Sequence, residues 1–350
     1  MNEIGFLELA VSLCVQACVV IGACGWLVRQ SASLDAGHRL WGTCHVMLLA
    51  QTAAALLLPH LRLLPHSMIS DHVPIPAVAT TEIWLGRILI GVWGVGAAMY
   101  AVGLVCGVLG VRRLIATADP LARPLDSESD DVTLLVSPRV SAPFCWQFHQ
   151  PLIVLPESAQ TFPAEELQAI IRHERAHLQS AHPVFLFLQR LVEMLYWFHP
   201  LVWWASRQAD LHREFHCDRE ASRSRSETAN YLRSLLRLSE VVTEPARRLP
   251  AGLGFHGART NIKLRVERLL NECPPNPHDR RRTLLRVGVV AVVAAVSTGL
   301  WLPINVCASS RSAWSPWPAW SARALYEFGI PARDYEVDGH RLQIHEVEER

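Results

Sequence analysis

The feature that most constrains this chain is a set of apolar runs too long for strands and too uniformly apolar for ordinary surface helices. Residues 5–28, 40–58 and 83–111 are three such runs, and residues 287–304 form a shorter fourth. About 20 helical residues cross the hydrocarbon of a bilayer, and within it only a helix or a closed barrel satisfies the backbone. Composition agrees: half of the 350 residues are hydrophobic and only 19% are charged, against about 25% in soluble chains. The sequence therefore predicts a mainly α membrane protein, a multi-span helical bundle. No basic segment precedes the first run, which is long for a signal-peptide core, so it reads as a retained anchor. Arg87 is the one awkward charge, near the outer end of the third run.

Orientation follows from arginine. Arg29 and Arg39 flank the first connection, Arg112 and Arg113 follow the third run, and Arg280, Arg281, Arg282 and Arg286 precede the fourth. The connection between the second and third runs carries only Arg62. Because basic residues are retained on the cytoplasmic side, the expected organisation is as follows. Residues 1–111 hold three spans with the N-terminus outside, 112–286 form a cytoplasmic domain, 287–304 are a fourth span, and 305–350 are a short extracytoplasmic tail. The net charge of +1 gives no field that would draw nucleic acid. Nine cysteines are scattered without metal-ligand or disulfide spacing, which fits a reducing compartment for the middle of the chain.

Within the middle block an acidic linker, 126–131, leads to two short apolar strands near 132–136 and 152–155, bounded by prolines. Pro163, Glu165 and Glu166 then open a helix that runs to His177. The apolar stretch 183–204 is interrupted by Arg190 and Glu193, and reads as a buried or membrane-abutting hairpin bent at His199 and Pro200. A spanning reading would put the two halves of the site described next on opposite sides of the membrane.

That site begins with His173-Glu174-Arg175-Ala176-His177. His173 and His177 lie four apart on a helix, so their imidazoles leave one face toward one point. Two neutral imidazoles suit Zn2+, leaving room for a third protein ligand and a water. Glu174 is placed to act as general base on that water. Downstream, Glu214 and Asp218 are also four apart and share a face. Glu214 is the candidate third ligand, and Asp218 is the candidate for orienting a ligating histidine from behind. His212 and His216 are rival ligands, each about 200° round the helix from Glu214. The bland alternative is that Glu214 and Asp218 only solvate a polar helix face. His182 is out of phase with His177, and His199 precedes a proline at a bend; both read as structural.

The stretch 171–221 resembles the BlaR/MecR antirepressor family of membrane zinc metallopeptidases, themselves similar to HtpX and CAAX-type proteases. The resemblance rests on His173-Glu174 with His177, on Trp197 through Trp204, and on Glu214, Cys217, Asp218 and Ala221. The run 143–156 resembles that family's strand beside the active site, whose edge pairs with extended substrate. The resemblance implies a cytoplasmic zincin-like (gluzincin) α+β domain with Zn2+ held by His173, His177 and Glu214. It further implies signal-dependent cleavage of a protein substrate, a small cytoplasmic winged-helix repressor, without direct binding of nucleic acid. The implied location is the plasma membrane of a bacterium.

The chain departs from that family at Arg175, where the motif has an uncharged residue, and at 180–183, where relatives carry arginines and an aspartate. About 45 residues follow the fourth run and none is lysine, so this chain is not expected to acylate a β-lactam. Self-cleavage at Arg280 to Arg282 is an alternative to simple anchoring by those arginines. Other readings of the whole are membrane-protein quality control and a non-catalytic signalling scaffold. Tryptophans 314, 317 and 320 suggest an interfacial belt, and the alternation near the end suggests a hairpin around Asp338 and Gly339.

Overall fold

A computed structural model describes residues 3–31, 34–57, 75–121, 132–148, 150–222, 225–241, 262–270, 279–298, 335–337 and 340–342. Three long helices open the chain: α1 (Glu3–Arg29), α2 (Leu34–Leu57) and α3 (Ile75–Ala116). Each contains a stretch long and apolar enough to cross a membrane, at Leu9–Arg29, Ala36–Leu57 and Trp84–Ala116. On α3 the side chains of Trp84, Leu85, Ile88, Val92, Val95, Met99, Val102 and Val105 are exposed. A lipid-facing helix presents such a surface, since lipid tails leave no penalty for exposing it. The fourth expected span overlaps the helix Asp279–Thr298, labelled α9 below, which is not among the three candidate spans of the described residues. Its apolar part is described only as far as Thr298, and 299–304 lie outside the described residues.

Polar side chains tie α9 to the first two helices. Gln51 donates to the Ala294 carbonyl at 3.0 Å and to Ser297 Oγ at 2.7 Å, and Gln16 donates to the Thr298 carbonyl at 3.3 Å. Between apolar helices such bonds supply association that hydrophobicity cannot. At the opposite end of α9, Arg286 reaches Ser31 Oγ at 2.8 Å and the Gln30 carbonyl at 3.2 Å. The C-terminal end of α1 and the N-terminal end of α9 therefore lie together.

The apolar stretch after the histidine motif is a hairpin, α5 (His182–Leu195) and α6 (Pro200–Ala221). Pro200 opens α6 at a position where a missing N–H costs nothing, so the bend falls at His199 and Pro200 as expected. The tip of the hairpin lies among the long helices. Tyr196 Oη and Thr52 Oγ1 are 2.8 Å apart, Trp93 Nε1 donates to the Leu195 carbonyl at 2.9 Å, and Cys18 Sγ lies 3.6 Å from His199 Nε2. Val192, Tyr196, Val202, Ala205 and Ala209 belong to the same buried cluster as Leu13, Ile21, Leu40, Trp41, Leu48 and Ala294. The hairpin enters and returns, so both halves of the site stay at one end of the bundle. Its interrupting charges are paired: Arg190 with Glu193 at 2.5 Å, Gln189 with Glu193 at 3.0 Å, and Arg213 with Gln189 at 2.9 Å.

A small sheet stands at that same end: β1 (Asp119–Pro120), β2 (Thr133–Ser137), β3 (Phe144–Trp146) and β4 (Leu152–Pro156), in the order β1-β2-β4-β3. β2 and β4 are parallel, with Leu135 opposite Val154, and the outer strands are antiparallel. All of β4 is buried because it is covered on both faces. Ile153 and Leu155 face Leu167, Ile170 and Ile171 of α4 (Ala164–Gln179), while Leu152 and Val154 face Leu104, Val111 and Leu114 of α3. Among the described residues the remaining helices are α7 (Arg225–Val241) and α8 (Ile262–Leu270), and β5 (Tyr335–Val337) pairs with β6 (His340–Leu342) as the expected terminal hairpin. The acidic linker and tryptophans 314, 317 and 320 lie outside the described residues. Seven cysteines are described, and each is a free thiol.

Candidate metal centre

The first half of the site is a consequence of α4's amphipathic turn. Leu167, Ile170 and Ile171 bury one stripe against β4, and the next turn carries His173 and Glu174, both buried. His173 Nε2 and His177 Nε2 lie 3.2 Å apart with their rings nearly perpendicular. Glu214, on α6, completes the group: its Oε2 is 3.6 Å from His173 Nε2 and its Oε1 is 3.6 Å from His177 Nε2. A tetrahedral zinc with Zn–N of about 2.0–2.1 Å separates two ligating nitrogens by about 3.3 Å. The nitrogen spacing and the neighbouring carboxylate match that edge, and the three donors form one cluster within 4.8 Å.

Behind these donors lies a buried polar lattice. His173 Nδ1 is 3.2 Å from Asp218 Oδ1 and 2.8 Å from Tyr231 Oη. Tyr231 donates to Asp218 Oδ1 at 2.6 Å. Arg265, carried by α8, donates from Nε to Asp218 Oδ2 at 2.8 Å, from Nη2 to Tyr231 Oη at 2.8 Å, and pairs through Nη1 with Glu214 Oε2 at 2.9 Å. One bonding pattern satisfies all of them. With His173 neutral, as a metal ligand would be, His173 Nδ1–H and Arg265 donate to the lattice, Tyr231 donates its hydroxyl hydrogen bond to Asp218, and His173 Nε2 presents its lone pair on the side of His177 and Glu214. Fixing a ligating histidine's tautomer from behind is the usual task of such a partner.

The electrostatics follow from burial set against these pairs. Burial disfavours the charged form of Glu214 and Asp218, but the Arg265 guanidinium and His173 outweigh it and hold both carboxyls below their ordinary range. His173 is likewise pushed down by burial, then raised past it, to about 9, by its bonds to Asp218 and Glu214. Burial lowers His177 to about 3, a neutral imidazole. Burial raises Glu174 to about 7, a value suited to taking up and releasing a proton near neutrality.

The rival histidines are elsewhere. His216 Nε2 bonds Ser180 Oγ at 3.0 Å and its ring stacks on His38. His212 packs against Gly37, where an added Cβ would lie 2.1 Å from its Nδ1. His199 sits at the hairpin bend. His182 does not lie off the site as its phase suggested: α4 ends at Gln179, and Ala181 in the left-handed region (φ 53°) turns the chain back. This brings His182 Nδ1 to 3.0 Å from His177 Nδ1. Arg175 is half-buried. Tyr231 and Arg265 are the residues that sequence reasoning missed. They come from α7 and α8, well beyond the motif, and neither stands in a pattern that marks it.

A sequence model of the family described as BlaR1 peptidase M56 matches residues 5–269. The regulatory protein BlaR1 of Bacillus licheniformis is 26% identical over 142 residues, covering 40% of this chain and 24% of the relative. The methicillin resistance mecR1 proteins of Staphylococcus aureus and Staphylococcus epidermidis are each 27% identical over 179 residues, covering 49% of this chain and 29% of theirs. The chain thus spans less than a third of the length of these relatives.

Proposed function

The chain belongs to the BlaR1 peptidase M56 family, and on that premise we propose that it is a membrane zinc metalloendopeptidase that cleaves a cytoplasmic transcriptional repressor in response to a signal. The observation that carries this reading is the convergence of His173, His177 and Glu214 from two helices into one donor cluster with a buried carboxyl beside it. His173 Nε2, His177 Nε2 and a Glu214 oxygen would hold Zn2+, which when bound polarises the scissile carbonyl and acidifies a water. Glu174 accepts that water's proton at its carboxylate and delivers it to the departing amine. Asp218, Tyr231 and Arg265 hold His173 and Glu214 in place. The α4–β4 layer supplies the α+β frame of a zincin-like domain. The edge strand β3, Phe144–Trp146, stands beside α4 where an extended substrate segment would pair.

Placement in the cell follows from charge. The end of the bundle that carries the site also carries Arg29, Arg39, Arg112, Arg113 and Arg286, which supports a cytoplasmic catalytic domain between residues 112 and 286. The substrate class rests on the family resemblance. Self-cleavage at Arg280 to Arg282 is the less favoured reading, because these residues lie in the first turn of α9 and a peptidase would have to unwind it.

The purified full-length chain should hold zinc. Glu174→Gln should keep the metal and lose turnover by on the order of 10²–10⁴-fold, whereas His177→Ala should lose the metal. Comparing the proteomes of cells carrying the wild type and Glu174→Gln should reveal a winged-helix repressor whose fragments disappear in the variant. A fully active Glu174→Gln protein would overturn the peptidase reading.

A further inference from the structure

Beside the proposed catalytic cluster lies a second set of donors that the mechanism does not use. His177 on α4, His182 at the start of α5 and Cys217 on α6 bring one donor atom each within 4.8 Å. His177 Nδ1 and His182 Nδ1 are 3.0 Å apart, and His182 Nδ1 is 3.5 Å from Cys217 Sγ. For a tetrahedral zinc with Zn–N of about 2.0–2.1 Å and Zn–S of about 2.3 Å, the N···N and N···S edges are about 3.3 and 3.6 Å. The observed spacings lie close to both. Three helices meet here, and the arrangement depends on a non-glycine residue, Ala181, held in the left-handed region, a conformation unfavourable for an L-residue. His182 and Cys217 are buried, and His182 Nε2 has no hydrogen-bond partner. A thiol and an imidazole packed in this way add little to a core compared with apolar residues, but they are a matched soft donor pair for a thiophilic cation.

We propose that His177 Nδ1, His182 Nδ1 and Cys217 Sγ form a second metal site, for a thiophilic divalent cation, which shares His177 with the proposed catalytic cluster and so inhibits it by taking its ligand. The two sites use opposite nitrogens of one ring. A neutral imidazole has a single lone-pair nitrogen, the other bearing hydrogen. Ligation through Nδ1 places the His177 proton on Nε2 and withdraws that atom from His173 and Glu214. The Cys217 thiol proton is released to solvent as the thiolate binds. The two sites therefore exchange rather than fill together. His38 on α2 edges the His182 ring at 5.4 Å and stacks on His216 at 4.1 Å, which places this second site at the root of a membrane helix. The existence of the site is independent of the peptidase reading; only its inhibitory effect rests on it.

The test is a Co2+ titration of the metal-stripped full-length protein in detergent, following the thiolate-to-cobalt charge-transfer absorption. In His173→Ala, which removes the competing cluster, the band should appear from the first equivalent and should be absent from His173→Ala/Cys217→Ser and His173→Ala/His182→Asn. In the wild type, where each molecule holds its one ion at either site, the band should saturate at one equivalent with lower intensity than in His173→Ala. Glu214→Gln replaces His173→Ala if the latter does not elute as a monodisperse species. No band in either background, or a band that survives Cys217→Ser, overturns the second site. A wild-type band as intense as that of His173→Ala leaves the site standing and instead counts against His173, His177 and Glu214 as the principal metal centre.

Discussion

Glu214 and Asp218 lie one turn apart on α6 and both accept from the Arg265 guanidinium, whose side chain is 4% exposed. Removing one member of a buried charge group leaves its partners uncompensated, a loss of about 3–5 kcal/mol. Arg265→Met should therefore lower stability by about that amount in chelator, and zinc should restore part of the loss, because a cation at Glu214 replaces the missing positive charge. Thermal unfolding in detergent with and without zinc measures both. Asp218→Asn is gentler: it keeps the volume but weakens the acceptor that fixes His173 Nδ1–H, and should cost about 10–100-fold in zinc affinity by competition with a chelator. His173, His177, Glu214 and Asp218 were legible in the sequence because helical spacing of four is local information. Arg265 and Tyr231 were not, since only the packing of α7 and α8 onto α4 and α6 brings them in. The nearness of His182 to His177 was not legible either, because it depends on the left-handed Ala181, which turns the chain back after α4 ends.

At the scale of elements, the hairpin α5–α6 is the piece that joins membrane bundle and site, since its tip lies among α1, α2 and α3 while its base carries His182, Glu214 and Cys217. Its fit against α3 depends on Gly96. A Cβ there would lie 2.2 Å from Trp197 Cε2 and 2.4 Å from Nε1, an overlap with a large ring that also donates to the Trp93 carbonyl. Gly103, seven residues on along the same helix, has nothing within 4 Å. Gly96→Ala should then destabilise by about 1–3 kcal/mol, as overpacking does, while Gly103→Ala should be neutral or slightly stabilising through helix propensity. Unfolding of the two variants side by side checks it, and equal effects would mean that the hairpin does not seat on α3 in this way. The sequence showed the hairpin's bend through Pro200 and its apolar character through residues 183–204. It did not show that Arg190 and Glu193 are tolerated because they pair with each other, with Gln189 bonding Glu193 as well.

For the whole molecule, one end of the bundle gathers everything the site needs. Arg286 of α9 binds the end of α1, and His38 near the start of α2 meets His182. Val111 and Leu114 near the end of α3 pack with Val140, Phe144 and Trp146 beside the sheet. The arginines that set orientation therefore sit on the site's own end, which means that catalytic domain and basic residues must face the same compartment whichever way the chain inserts. Retention of basic residues on the cytoplasmic side would then put both there, as proposed above. A cysteine introduced at Arg207, an exposed position on α6, should resist a membrane-impermeant maleimide in intact cells and react in inverted vesicles. One introduced at His66, in the arginine-poor connection between α2 and α3, should show the opposite pattern. Because the coupling between arginines and site is built into the packing, the two labels should exchange together if the arginines flanking α1, α3 and α9 are moved to the other ends. Labelling of both positions from the same side would contradict the arrangement of α2 and α3 as full spans, and with it the placement of the site.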